Sequence, residues 1–142
     1  MNVSYCTYDT ATGAIHVIGN CDPGMLQSQA VESGCTLLQL TQPIFPKGWY
    51  IDVTRSPPAP AQRPASAAAI DKTAISANGT DAATLSGLPN PSTVTVINPD
   101  GSISRSPVTA GTFALTATAA GLYRLYVDAF PATDFQTAVT AS

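Results

Sequence analysis

The chain has 142 residues, enough for one ordinary domain or for one small sandwich with a smaller appendage. Apolar residues make up 44% and charged residues only 11%, well under the roughly 25% common in soluble domains, so Thr, Ser, Ala, Gln and Asn must cover much of the surface. Six basic residues against nine acidic ones give a net charge of −3 with no basic run, which speaks against a grip on nucleic acid phosphates, and no apolar run approaches the roughly 20 residues that insert across a membrane.

The first section reads as a small β-rich unit over residues 1–55. Residues 3–9 and 14–18 are β-rich runs around Thr10-Ala11-Thr12-Gly13, a hairpin in which Gly13 can take positive φ. Asp22-Pro23 resembles an N-cap followed by Pro at the first helical position, opening a short helix through Met25, Leu26, Ala30 and Val31 that stops at Gly34. Residues 37–41 and 49–54 are expected to pair as two further strands, with Pro43 and Pro46 confining the stretch between them to a loop. A unit of this size cannot bury a large core of its own.

Residues 56–66, with Pro57, Pro58, Pro60 and Pro64, read as a Pro-rich linker. Prolines at this density favour polyproline II geometry and a semi-rigid spacer. Pro57 and Pro60 also form a PxxP with Arg63 nearby, but that pattern arises by chance in any proline-rich spacer, so the linker is preferred over a docking peptide.

Residues 67–142 read as an Ig-like β-sandwich. Strands are expected at 68–75, 82–85, 93–97, 102–105, 112–116, 121–128 and 135–141, punctuated by Asn78-Gly79, by 87–91 and by the Asp100-Gly101 turn. Spacing of about 8 to 12 residues between short strands is that of an immunoglobulin-like sandwich. The clearest strand is 121–128, where Tyr123, Leu125 and Val127 alternate with Leu122, Arg124 and Tyr126 and make the better core face. Tyr123 stands where a tyrosine corner is found, and no Cys-Trp-Cys pattern accompanies it. The fold class is therefore mainly β.

No catalytic, cofactor-binding or metal-binding set is expected. His16, the single histidine, could act as a base only with an oriented nucleophile, and Cys6 across the hairpin is the one candidate; ordinary packing is the simpler reading. Cys6, His16, Cys21 and Cys35 have the composition of a structural zinc set but lack the C-x(2-4)-C spacing that preorganises one, and the odd number of cysteines suits reduced thiols. The carboxylates fall mostly at turns, where Asp bonds local backbone, and no glycine-rich phosphate loop or nucleophile elbow is present. The protein is expected not to be an enzyme. Phe45, Trp49 and Tyr50 cluster in one Pro/Gly-punctuated segment, either as core of the small unit or as an interface anchor.

The opening Tyr8-Asp9-Thr10-Ala11-Thr12-Gly13-Ala14-Ile15, the run Trp49-Tyr50-Ile51-Asp52, the Arg63-Pro64 bridge and Ala77-Asn78-Gly79-Thr80-Asp81-Ala82-Ala83 leading to Leu88-Pro89 resemble small structural proteins of tailed bacteriophages. In these, a short Tyr-Asp-x-x-Thr-Gly-x-Ile β unit precedes a bacterial Ig-like domain. The resemblance implies a virion component of the tail tip, fibre or collar, anchored by its N-terminal part and displaying the Ig-like domain for assembly or weak host attachment. A tail-fibre assembly chaperone and a capsid decoration protein are the alternatives. Expected partners are other virion proteins, further copies of the chain and the host cell surface. The N-terminus has neither a basic stretch nor an apolar core of the signal type, so synthesis in the host cytoplasm is expected.

Overall fold

The computed structural model describes residues 1–142, which form a mainly β protein with several sheets, none of them closed. The chain divides into two compact units, Met1–Arg63 and Pro64–Ser142.

In the first unit, β1 (Val3–Asp9) is the centre of a three-stranded antiparallel sheet, flanked by β2 (Ile15–Cys21) and β3 (Cys35–Leu40). The β1–β2 hairpin closes as its sequence demands. Asp9 Oδ1 accepts the backbone N–H groups of Ala11 and Thr12 at 2.9 and 2.8 Å, and Gly13 takes φ +82°. The register slips between Thr7, which faces Val17, and Tyr8, which faces Ile15, so His16 is the extra residue of a β-bulge. Cys6, Tyr8, Leu40, Ile44 and Ile51 form the buried core, with Ile15, Ile18, Leu38, Trp49 and Val53 packed around it.

Three expectations for this unit are corrected. The helix is a short 3-10 helix of six residues, Pro23–Ser28, with Asp22 Oδ1 accepting the Gly24 N–H at 3.0 Å; it stops at Gln29, whose ψ of 137° is extended. Leu26 is its only buried side chain, too small an apolar stripe to hold a longer helix. Second, β3 does not pair with β4 (Trp49–Asp52) but lies along the free side of β1, where its alternate residues meet those of β1. Third, the proline-rich stretch contains a strand, β5 (Ala59–Gln62), paired antiparallel with β4. Pro60 sits opposite Ile51 in this two-stranded sheet, where one side of β5 has no neighbour to which a missing N–H matters. Just beyond, Pro64 and Ser66 are tied into the second unit: the Pro64 carbonyl accepts the Thr133 N–H at 2.9 Å, and Ser66 N–H donates to Thr133 Oγ1 at 3.1 Å.

In the second unit, the run expected as one strand over 68–75 is two short ones, β6 (Ala69–Ile70) and β7 (Ala74–Ile75), in different sheets. The change of sheet occurs at Asp71-Lys72-Thr73. Asp71 Oδ1 accepts the Thr84 N–H at 2.7 Å and Lys72 pairs with Asp81, while the Thr73 carbonyl accepts the Thr140 N–H at 2.9 Å. Then follow β8 (Ala82–Ser86), β9 (Ser92–Ile97), β10 (Ile103–Val108), β11 (Phe113–Thr116), β12 (Gly121–Asp128) and β13 (Phe135–Ala141). They are arranged as β10-β9-β12-β13-β7 and β11-β8-β6. All neighbours are antiparallel except β13 and β7. Both sheets contribute to one buried cluster: Val94, Val96, Leu125, Val127 and Val139 from the first, and Ala83, Leu85 and Leu115 from the second.

Candidate functional site

The aromatic segment does not assemble into one face. Trp49 is half-buried against the core of the first unit, on the same side of β4 as the fully buried Ile51, and half-buried Tyr50 alternates to the other side. Phe45 alone projects, with 70% of its surface exposed at the turn that its carbonyl closes by accepting the N–H groups of Gly48 and Trp49 at 3.2 and 3.1 Å.

Tyr123, Leu125 and Val127 lie inside the second unit, exposed by only 6%, 0% and 2%. The Tyr123 hydroxyl donates to the Ala119 carbonyl at 2.9 Å, which satisfies the one polar atom of an otherwise buried ring. The opposite face of β12 is open: Leu122 and Tyr126 are 45% and 38% exposed, and Arg124 stands between them.

The cysteines separate. Cys6 is fully buried, and burial pushes its thiol up to about 11; its partner across the hairpin is Ile18, not His16. Cys21 pairs in register with Val3 at the far end of β2. Cys35, at the head of β3, comes to His16 instead: its Sγ lies 3.8 Å from His16 Nδ1, and Glu32 Oε2 lies 3.7 Å from the same nitrogen. These three ligand-type atoms all fall within 4.8 Å of one another.

Local structure explains the convergence. The bulge at His16 breaks the alternation of β2 and turns the imidazole to the side that Cys35 occupies, across β1. Glu32 and Cys35 are the two ends of a turn closed by the Cys35 N–H on the Glu32 carbonyl at 3.1 Å, with Gly34 at φ +80°. That turn is fastened to β1 by the Thr10 N–H on the Gly34 carbonyl at 2.9 Å and by a Thr10–Thr36 hydroxyl bond of 2.7 Å. Loss of solvent, followed by the charges of Glu32 and Asp9, raises the Cys35 thiol above its ordinary range. Sequence reasoning weighed His16 and Cys35 together with Cys6 and Cys21 but left Glu32 among the scattered carboxylates; its position three residues before Cys35, across a Gly, was the available signal.

The remaining carboxylates hold turns. Thr54, through its hydroxyl at 2.6 Å, Lys72 and Ser102, through its hydroxyl at 2.6 Å, keep Asp52, Asp81 and Asp100 respectively below the usual carboxylate range. Comparison with protein-family models and with curated proteins finds no match for this chain.

Proposed function

We propose that the chain is a non-enzymatic structural component of a bacteriophage particle, a tail- or fibre-associated accessory protein. In this reading residues 1–63 join the particle, and residues 64–142 form an Ig-like β-sandwich displayed for assembly or weak adhesion to the host surface. One observation carries it. The sheets β10-β9-β12-β13-β7 and β11-β8-β6 share a single core, the first strand is divided between them, and the Tyr123 hydroxyl bonds back to Ala119. Such an arrangement with a tyrosine corner is characteristic of Ig-like sandwiches, which supply surface and spacing and owe any activity to what is placed on them.

The opening Tyr8-to-Ile15 motif, through its resemblance to phage proteins, adds the particle to that fold. A surface with few charges, bearing Leu122 and Tyr126 on the open face of β12, suits packing among many copies and other virion proteins. Phe45 is the contact assigned to the first unit.

The experiment is quantitative mass spectrometry of purified particles made by the genome that encodes the chain. Integral copies per particle, in step with a known tail protein, are expected. A chain abundant in the lysate but missing from finished particles would overturn the virion role and favour an assembly chaperone.

A further inference from the structure

We propose that His16, Glu32 and Cys35 form a three-ligand site for a divalent transition ion of the zinc class, with the fourth position open to water. Bond lengths of about 2.3 Å to sulfur and 2.0–2.1 Å to nitrogen and oxygen place neighbouring ligands of a tetrahedral zinc roughly 3.3–3.6 Å apart. The atoms here stand 3.8 Å (Cys35 Sγ to His16 Nδ1) and 3.7 Å (Glu32 Oε2 to His16 Nδ1) apart, a few tenths of an ångström from those two edges, and all three ligand atoms lie within 4.8 Å of one another, so the third edge closes by movement of the Glu32 side chain. Glu32 can supply it, since its side chain is 81% exposed.

The geometry favours a shared cation over a catalytic dyad. In a Cys-His-carboxylate relay the histidine uses one ring nitrogen for the nucleophile and the other for the orienting carboxylate. Here the sulfur and the carboxylate both approach Nδ1, which cannot serve the two partners at once as a proton relay. Three donor atoms within 4.8 Å of one another can share a metal ion. The donor types select its class: a thiol and an imidazole suit zinc and its neighbours, and disfavour calcium and magnesium.

The scaffold fixes the backbone positions of the three residues without the ion. His16 is set by a bulge, and Glu32 and Cys35 by one closed turn fastened to β1 through Thr10. Asp9, on β1 between the two flanking strands, adds negative potential but is not among the residues whose ligand atoms come together. On binding, the Cys35 S–H bond breaks, its electron pair forms the metal–sulfur bond, and the proton passes to solvent.

The test is calorimetric titration of the untagged, reduced full chain with Zn²⁺, beside His16→Gln, Cys35→Ser, Glu32→Gln and the control Cys21→Ser. All four positions are at least partly exposed, and circular dichroism checks that each variant is folded. One ion per chain is expected, with affinity falling about tenfold or more in His16→Gln and Cys35→Ser and unchanged in Cys21→Ser. Co²⁺ in place of Zn²⁺ should give a thiolate-to-metal absorption band that Cys35→Ser abolishes. Absence of a one-to-one ion, or wild-type affinity in both His16→Gln and Cys35→Ser, would overturn the site.

Discussion

The carbonyl of Gly13 accepts the backbone N–H of Ile51 at 2.9 Å, joining the β1–β2 hairpin turn to the middle of β4. The approach is so close that a Cβ on Gly13 would lie 1.8 Å from the Ile51 oxygen. Gly13 therefore meets two demands, a φ of +82° and bare backbone against backbone.

Gly13→Ala should destabilise the first unit more than Gly34→Ala does. Both positions have positive φ, +82° and +80°, where an L side chain costs on the order of 1–2 kcal/mol, but a Cβ at Gly34 meets nothing within 4 Å. Thermal unfolding of the two variants makes the comparison, and equal shifts in midpoint would show that the Gly13–Ile51 contact is not tight.

In the second unit, Tyr123→Phe removes the hydroxyl bond to Ala119 and little else. A loss of about 1 kcal/mol is expected in urea unfolding. Leu125→Ala empties a fully buried position at the centre of β12 and should cost about 2–5 kcal/mol. A larger effect for Tyr123→Phe than for Leu125→Ala would reverse the assignment of what holds this core.

Cys6 should make the protein sensitive to alkali. Its folded pKa of about 11 lies above the roughly 8.5 of an unfolded thiol, so its contribution is complete below pH ~8.5 and is lost as pH rises toward 11. Cys6→Ala should flatten the fall in unfolding midpoint over that window. A thiol reagent at neutral pH should modify Cys21 and Cys35 in the folded chain and reach buried Cys6 only on unfolding. Rapid labelling of all three would contradict its burial.

Acid acts through other groups. Asp9, held down first by the Thr12 N–H, and Asp52, Asp81 and Asp100, held down by Thr54, Lys72 and Ser102, all have folded values below those of the unfolded chain. Their contribution is complete above about pH 4 and disappears as pH falls through the folded values. The acid limb of a stability profile should be shallower in Asp81→Asn, which weakens the ties to Lys72 and the Ser76 N–H. An unchanged acid limb would remove Asp81 from the account.

The second half of the chain is legible in sequence because its signals are local. Tyr123, Leu125 and Val127 alternate with polar or exposed neighbours, and Asn98-Pro99-Asp100-Gly101 writes its own turn, with Gly101 at φ +85°. Partner choice is not local. Nothing in Trp49–Asp52 or Ala59–Gln62 says that they pair, and proline density conceals a strand that survives because only one of its sides is used. Which of the ligand-type residues come together was hidden for a related reason. His16 reads as an alternating strand residue, and only the one-residue slip opposite Thr7 and Tyr8 turns it toward Cys35.

The division of labour between the two units is tested most directly by particle incorporation of residues 64–142 against the full chain, both carrying the same label. The fragment should fold, with a cooperative transition centred on the Leu125 core, yet be missing from purified particles that contain the full chain at stoichiometric level. Incorporation of the fragment at the level of the full chain would contradict the account and place the anchor in the second unit.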